Sequence, residues 1–396
     1  MLKKIYILFS LIGFLFVHSC IFSQSLPNGS IKFYVDFLKD TTFLSPKEYI
    51  LKSFEEKDII ILTERLHPEF KQYEMIVEVI QDKRFTGHIY TEVGVFNAGE
   101  KINNFLRKEG LSAIEVKEQI LDIYKDLDYS PLWVNYNYYY LLENIYWTNQ
   151  QRQPNEKIML HPLDVTFSWD SMECPEQYNM FMNMMESYII DRDVIMAKHF
   201  IEKYDQEKHI NSNKKKALII MNTYHGYTRI PKYQPHPTRP LIYSTAEYIY
   251  KTFPNLTKGI LINGLSSSGE LVANGKWDAA FEFVGNKNVG FDMKNTPFGE
   301  TKFDMYIFEG NNYESVNFDF IFDGFVFYEP IENFEMISGI PGIFTDKAFV
   351  TEFYRRLSMM KGVEENNYIE EFNFKKINKK SNLDKYKDLI NRWLIE

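Results

Sequence analysis

In four places along this chain an apolar run stops on a side chain that can take or hold a proton. Ile59-Ile60-Ile61-Leu62-Thr63 stops on Glu64, with His67 three residues further on. Gly87-His88-Ile89-Tyr90-Thr91 stops on Glu92, and Lys157-Ile158-Met159-Leu160-His161-Pro162-Leu163 stops on Asp164. Ala217-Leu218-Ile219-Ile220-Met221 leads through Asn222-Thr223-Tyr224 to His225. Brought into one cleft, such groups suit acid–base work on water, or the holding of a divalent metal by Glu64, His67, Glu92 and His225. Arg192-Asp193 adds a planar guanidinium able to orient a carboxylate or face a developing oxyanion.

Each residue also has a plain structural reading. Glu64 and Glu92 could simply accept backbone N–H groups at helix starts. For His161, His199, His209 and His236 the structural reading leads, and His88 lies at the start of its run, away from any strand-end site. Competing chemistries lack their motifs. There is no Gly-x-Ser-x-Gly elbow, since Gly264-Leu265-Ser266-Ser267-Ser268-Gly269 has the wrong spacing. No phosphate-binding Gly-rich loop, His-Glu-x-x-His or dinucleotide fingerprint is present.

The elements that must position these residues follow from the runs themselves. Apolar stretches without alternation read as strands buried on both faces, as in a parallel sheet. Between them lie helical patterns, so the fold class is α/β, a mostly parallel central sheet flanked by helices. Strand carboxyl ends are where ligands bind in such sheets. Pro68 suits the first position of a helix carrying Phe70, Tyr73, Ile76, Val77 and Ile80 on one face, with Glu69 at its positive end. That places His67 at a helix N-terminus, where the dipole favours a neutral imidazole able to act as a base. Asn97 and Glu100 suggest a cap for a helical insert spanning about 100–150, rich in Trp and Tyr. A Met-rich helix from Glu176 to Tyr204 would carry Arg192-Asp193 at mid-length, and Tyr233 to Pro240 reads as a proline-rich lid or surface loop. Beyond Gly264 an α+β extension closes the chain, with strand-like runs at 305–308 and 325–328.

Composition narrows the class further. The 396 residues carry a formal net charge of −9, against a nucleic-acid partner. Lys214-Lys215-Lys216 reads as a solvated turn. Residues 1–25 read as an export signal: Lys3 and Lys4 precede an apolar stretch from Ile5 to Val17 that is short for a membrane anchor. Two cleavage readings stand. Ser19-Cys20 resembles a lipobox, with Cys20 lipidated and the protein held at the cell envelope; cleavage near Ser23 to Ser25 would release a soluble protein. Cys174 is the second of the two cysteines, which excludes a structural disulfide in the mature chain and a Cys-based zinc site. Residues 26–396 read as one domain with its core at about 55–330.

The motifs carry a resemblance over roughly residues 55–330. Thr63-Glu64-Arg65-Leu66-His67 resembles the Gly-Glu-x-x-His signature of the erythromycin esterase-like superfamily and its ChaN-like haem-binding relatives, with Thr63 in place of Gly. Thr91-Glu92, Leu163-Asp164, Arg192-Asp193-x-x-Met196-Ala197, Ile220 to His225 and Phe322 to Phe327 are similar to later motifs of that superfamily, in order. The resemblance implies ester hydrolysis by water, with His67 as general base, Glu64, Glu92 and His225 ordering the site, and Arg192 assisting electrostatically. Asp164 and Asp193 would support them. The expectation is therefore an exported hydrolase of a small-molecule ester or amide, with no cofactor or with a divalent metal. The alternative is a surface lipoprotein binding haem through a His or Tyr, with the aromatic insert as the wall of its pocket.

Overall fold

The structure, a computed structural model, describes residues 28–187, 191–210, 216–231, 242–266, 269–305, 316–360, 375–377 and 380–395. The stretch read as an export signal, with Cys20, that read as a proline-rich lid or surface loop, Tyr233 to Pro240 with His236, Lys214-Lys215 and most of the 305–308 run lie outside the described residues. Two helices, Lys32–Asp40 (α1) and Pro46–Glu56 (α2), precede the first strand, Ile59–Glu64 (β1). Then come Lys71–Gln81 (α3), His88–Val95 (β2), Gly99–Arg107 (α4), Ala113–Tyr124 (α5), Tyr136–Asn149 (α6) and Leu160–Asp164 (β3). Pro175–Glu186 (α7), Arg192–Ile210 (α8), Ala217–Asn222 (β4), Thr245–Thr252 (α9) and Thr257–Ile262 (β5) continue the alternation. The last part holds Lys276–Phe283 (α10), Val289–Asp292 (β6), Phe318–Ile321 (α11), Gly324–Phe327 (β7), Met336–Ser338 (β8), Lys347–Met359 (α12), Lys375–Ile377 (β9) and Lys380–Ile395 (α13).

Seven strands form one sheet in the order β3-β2-β4-β1-β5-β7-β6, parallel throughout except for β6. β8 and β9 pair separately. The α/β reading therefore holds, and the period of two along β1 shows why its run has no polar break. Ile60 and Leu62 face a layer containing α3 to α6, while Ile59 and Ile61 face α8 and α9 through Met196, Phe200 and Ile249. Burying each such side chain on both faces contributes on the order of 2 kcal/mol. A third cluster around α10, β6 and β7 is largely aromatic, with Phe281 stacked on Phe327 at 3.8 Å between ring centroids. The insert's aromatics divide: Tyr138 and Tyr146 are wholly buried against α3 to α5, while Trp133, Tyr136 and Tyr140 are partly buried and Trp147 is exposed.

Four local features differ from expectation, and the first three bear on the site. Pro68 lies in a turn, and the helix begins only at Lys71 behind Phe70, so His67 is not at a helix N-terminus. Glu69 does serve the helix start, accepting from Lys71 N and Gln72 N at 2.9 Å each. The Met-rich stretch is two helices, which puts Arg192 and Asp193 in the first turn of α8 instead of mid-helix. β2 runs on to Val95, so Glu92 lies inside the strand, within a register shift between Thr91 and Val95 that includes Gly94 at φ +100°. Such an irregularity re-aims side chains locally. Asn97 is no cap; its Oδ1 accepts from Phe167 N at 3.0 Å.

Candidate functional site

The strands β3, β2, β4 and β1 are contiguous, so their carboxyl ends meet along one stretch of the sheet edge. Glu64 ends β1 and is 1% exposed. Its Oε2 lies 2.7 Å from His67 Nδ1, and its Oε1 accepts from the Tyr73 hydroxyl on α3. The other nitrogen of the ring, Nε2, faces Glu92 Oε1 at 3.6 Å, and the indole of Trp133 meets the ring edge-on at 5.3 Å. Burial would push this imidazole down, but Glu92 and Glu64 outweigh it and raise His67 to about 10. The expectation of a neutral ring at a helix start is overturned: His67 holds its proton at neutral pH because two carboxylates face it.

Glu92 is the hub. Its Oε1 lies 3.2 Å from His225 Nε2 and 3.3 Å from Arg192 Nη2, while Oε2 accepts from Asn222 N at 2.7 Å. Burial would raise Glu92, yet His225 and His67 hold it well below the usual carboxylate range. Arg192 is gripped by Asp164, with Nε to Oδ1 at 2.8 Å and Nη2 to Oδ2 at 2.7 Å, the two-point geometry that fixes a guanidinium plane. Asp193 holds the far side of His225, Oδ1 to Nδ1 at 2.8 Å, and is itself fixed by Thr245 N at 2.7 Å and Thr245 Oγ1 at 2.9 Å. His225 can lie in this network because Gly226 follows it. A Cβ there would sit 2.2 Å from Thr63 Cγ2 on β1.

The structure thus brings together Glu64, His67, Glu92, Asp164, Arg192, Asp193 and His225. It also adds Tyr73, Trp133 and Asn222, whose parts no sequence signal separates from ordinary core packing. The metal version of the site does not fit. Among the described residues no three His, Cys, Asp or Glu side chains are disposed to hold a metal ion. Arg192 already places a cation on Glu92, and Glu64 is engaged by His67 and Tyr73. Elsewhere, His199 donates from Nδ1 to Leu163 O at 2.8 Å and stacks on Phe96, a packing role. His161 is buried beside Tyr90 and burial pushes it down to about 3, while His88 Nδ1 accepts from Met159 N at 3.0 Å.

A second polar cluster occupies the same edge across β1. Arg65 is wholly buried, donating from Nη2 to Glu329 O at 3.0 Å and lying over the Phe334 ring. Asn263, after β5, donates to Asp278 Oδ1 at 3.0 Å. Among the described residues Arg65 Nε and Nη1, Asn263 Oδ1 and Asp278 Oδ2 have no hydrogen-bond partner.

No protein-family model and no curated protein matches the chain. Among solved structures it is similar to a mutant of the erythromycin esterase EreC in its open conformation, at 11% identity, covering 76% of this chain and 96% of that one with a TM-score of 0.46. It is also similar to a Bacillus cereus protein at 10% identity, covering 74% and 95% with a TM-score of 0.42. A third is the type III effector HopBA1 at 11% identity, covering 57% and 86% with a TM-score of 0.32.

Proposed function

We propose that this protein is a hydrolase that cleaves an ester or amide of a small molecule with water activated by His67. The observation that supports the reading is the arrangement around one ring. Glu64 anchors Nδ1 at 2.7 Å and leaves Nε2 facing Glu92, which the Arg192 guanidinium also contacts. In the reaction, deprotonated His67 takes a proton at Nε2 from water as its oxygen attacks the carbonyl carbon. The same proton then passes to the leaving oxygen or nitrogen, giving an acid and an alcohol or amine. Arg192, fixed by Asp164, offsets the negative charge that develops on the carbonyl oxygen. His225, fixed by Asp193, and Glu92 keep the base in place.

The raised His67 gives this reading a sharp pH signature. A base must be unprotonated, so kcat/KM rises with pH until His67 empties near pH 10. The test is a panel of chromogenic esters and amides assayed across pH. A rate that is flat between neutral pH and pH 10, with His67→Ala fully active, would remove the proposal. We further propose that the chain is exported through its first 25 residues and lipidated at Cys20. Labelling with a fatty acid that is lost in Cys20→Ser checks this.

A further inference from the structure

His67 lies on a turn, from Arg65 to Phe70, that belongs to neither β1 nor α3. Its backbone nevertheless finds partners from three separate elements. Gln72 on α3 is wholly buried; it accepts from Arg65 N at 2.8 Å and donates to Leu66 O at 2.7 Å and Glu69 O at 3.0 Å. Asn137 on α6 donates from Nδ2 to His67 O. The third partner is remote in sequence. Glu335 O accepts from Phe70 N at 2.7 Å, and Ile337 N donates to Pro68 O at 3.4 Å. Two residues on, Gly339 N donates to Val134 O at 2.7 Å, and Ser338 bridges Asn135. Segment 335–339 is therefore laid between the turn that carries His67 and the stretch that presents Trp133 to its ring.

Connecting turns are ordinarily the mobile parts of a protein, whereas a reacting ring works only when held within about half an ångström of its productive place. We propose that Gln72 and segment 335–339 form a clamp that sets His67 between Glu64 and Glu92, with Gln72 as a positioning residue for the reaction. The clamp takes its catalytic meaning from the hydrolase reading; its geometry stands apart from it. Gln72 does not reach the His67 ring. It acts through Arg65 N, Leu66 O and Glu69 O, the backbone on both sides of that residue.

The test follows the His67 ring itself by NMR titration, with its signals assigned by their loss in His67→Ala. That titration reads Glu64 and Glu92 directly, and Arg192 and His225 through Glu92. Gln72→Leu keeps much of the side-chain volume and removes all three hydrogen bonds, while Gln72→Glu keeps the acceptor for Arg65 N and loses the two donors. In Gln72→Leu the His67 midpoint should fall by about one unit or more toward that of free imidazole, with a smaller fall in Gln72→Glu. The acidic limb of kcat should move with it, with KM changing less. A folded Gln72→Leu protein whose His67 titrates as in the parent overturns the proposal. If that variant does not fold, Gln72→Glu decides by the same reading. Absence of any turnover in the parent would remove the hydrolase reading and leave the titration to decide the clamp.

Discussion

Two polar clusters share the carboxyl edge of the sheet, on either side of β1, and they differ in how their groups are partnered. Over β3, β2, β4 and β1, Glu64, Glu92, Asp164 and Asp193 face His67, His225 and Arg192, each at 3.6 Å or less. Over β1 and β5, Arg65 makes one hydrogen bond to a carbonyl from its guanidinium and comes no closer than 3.9 Å to Glu69. Asp278 is hydrogen-bonded by Asn263 and feels the Arg65 charge from further off, yet burial lifts it to about 6. Burial alone therefore does not couple polar groups to one another. The first cluster couples acids to bases, so moving one proton changes the energy of every neighbour; the second holds its charges apart.

The largest expected effect breaks the first cluster at its ring. His67→Ala should lower kcat/KM by about 10²–10⁴-fold, since proton transfer by a placed side chain is worth that much. The ring lies at the edge of the sheet and is 26% exposed, outside the hydrophobic core, so the circular dichroism spectrum should be unchanged.

Next comes a paired comparison by urea denaturation. Arg192→Met strands Asp164 and Glu92, two buried acids, and should destabilise by about 3–5 kcal/mol. Arg65→Met exchanges a poorly partnered guanidinium for an apolar chain already facing Phe334, and should change stability by only about 1 kcal/mol. An equal loss in the two variants would erase the distinction drawn between the clusters.

The smallest effect sharpens the comparison through pH. Asp278 has its folded value raised to about 6 from 3.8, so the folded state binds its proton more tightly than the unfolded chain does. Stability from this group is greatest below about pH 4 and falls as pH rises through 6, by on the order of 2–3 kcal/mol. Asp278→Asn keeps the acceptor for Asn263 and removes that fall, so at pH 8 the variant should be at least as stable as the parent. A variant less stable at pH 8 than at pH 5 would assign the dependence to another group.

Much of this architecture is legible in the residues. The unbroken run Ile59 to Leu62, two-sided in burial, announces a central parallel strand, and the acids that stop such runs announce the edge where chemistry collects. The proposals for Glu64, His67, Glu92, Asp164, Arg192, Asp193 and His225 rest on that edge, and the fold places all seven there. Less was legible where local pattern and tertiary contact disagree. Pro68 is compatible with a helix start, but its carbonyl is taken by Ile337, so the helix waits until Lys71.

What the sequence by itself determined is periodicity and order: which runs are buried on both faces, and which ionisable residues lie at or near their carboxyl ends. Hydrophobic burial is local in its pattern, so these are readable one segment at a time. Only the tertiary structure decided partners. That Tyr73 leaves an apolar helix face to bond Glu64, that Arg192 joins Asp164 to Glu92, and that segment 335–339 braces a turn some 270 residues earlier depends on loops closing across the chain. The charge of His67 was decided there too. Besides Glu64, close to it in sequence, the ring is held protonated by Glu92, a side chain from a different strand.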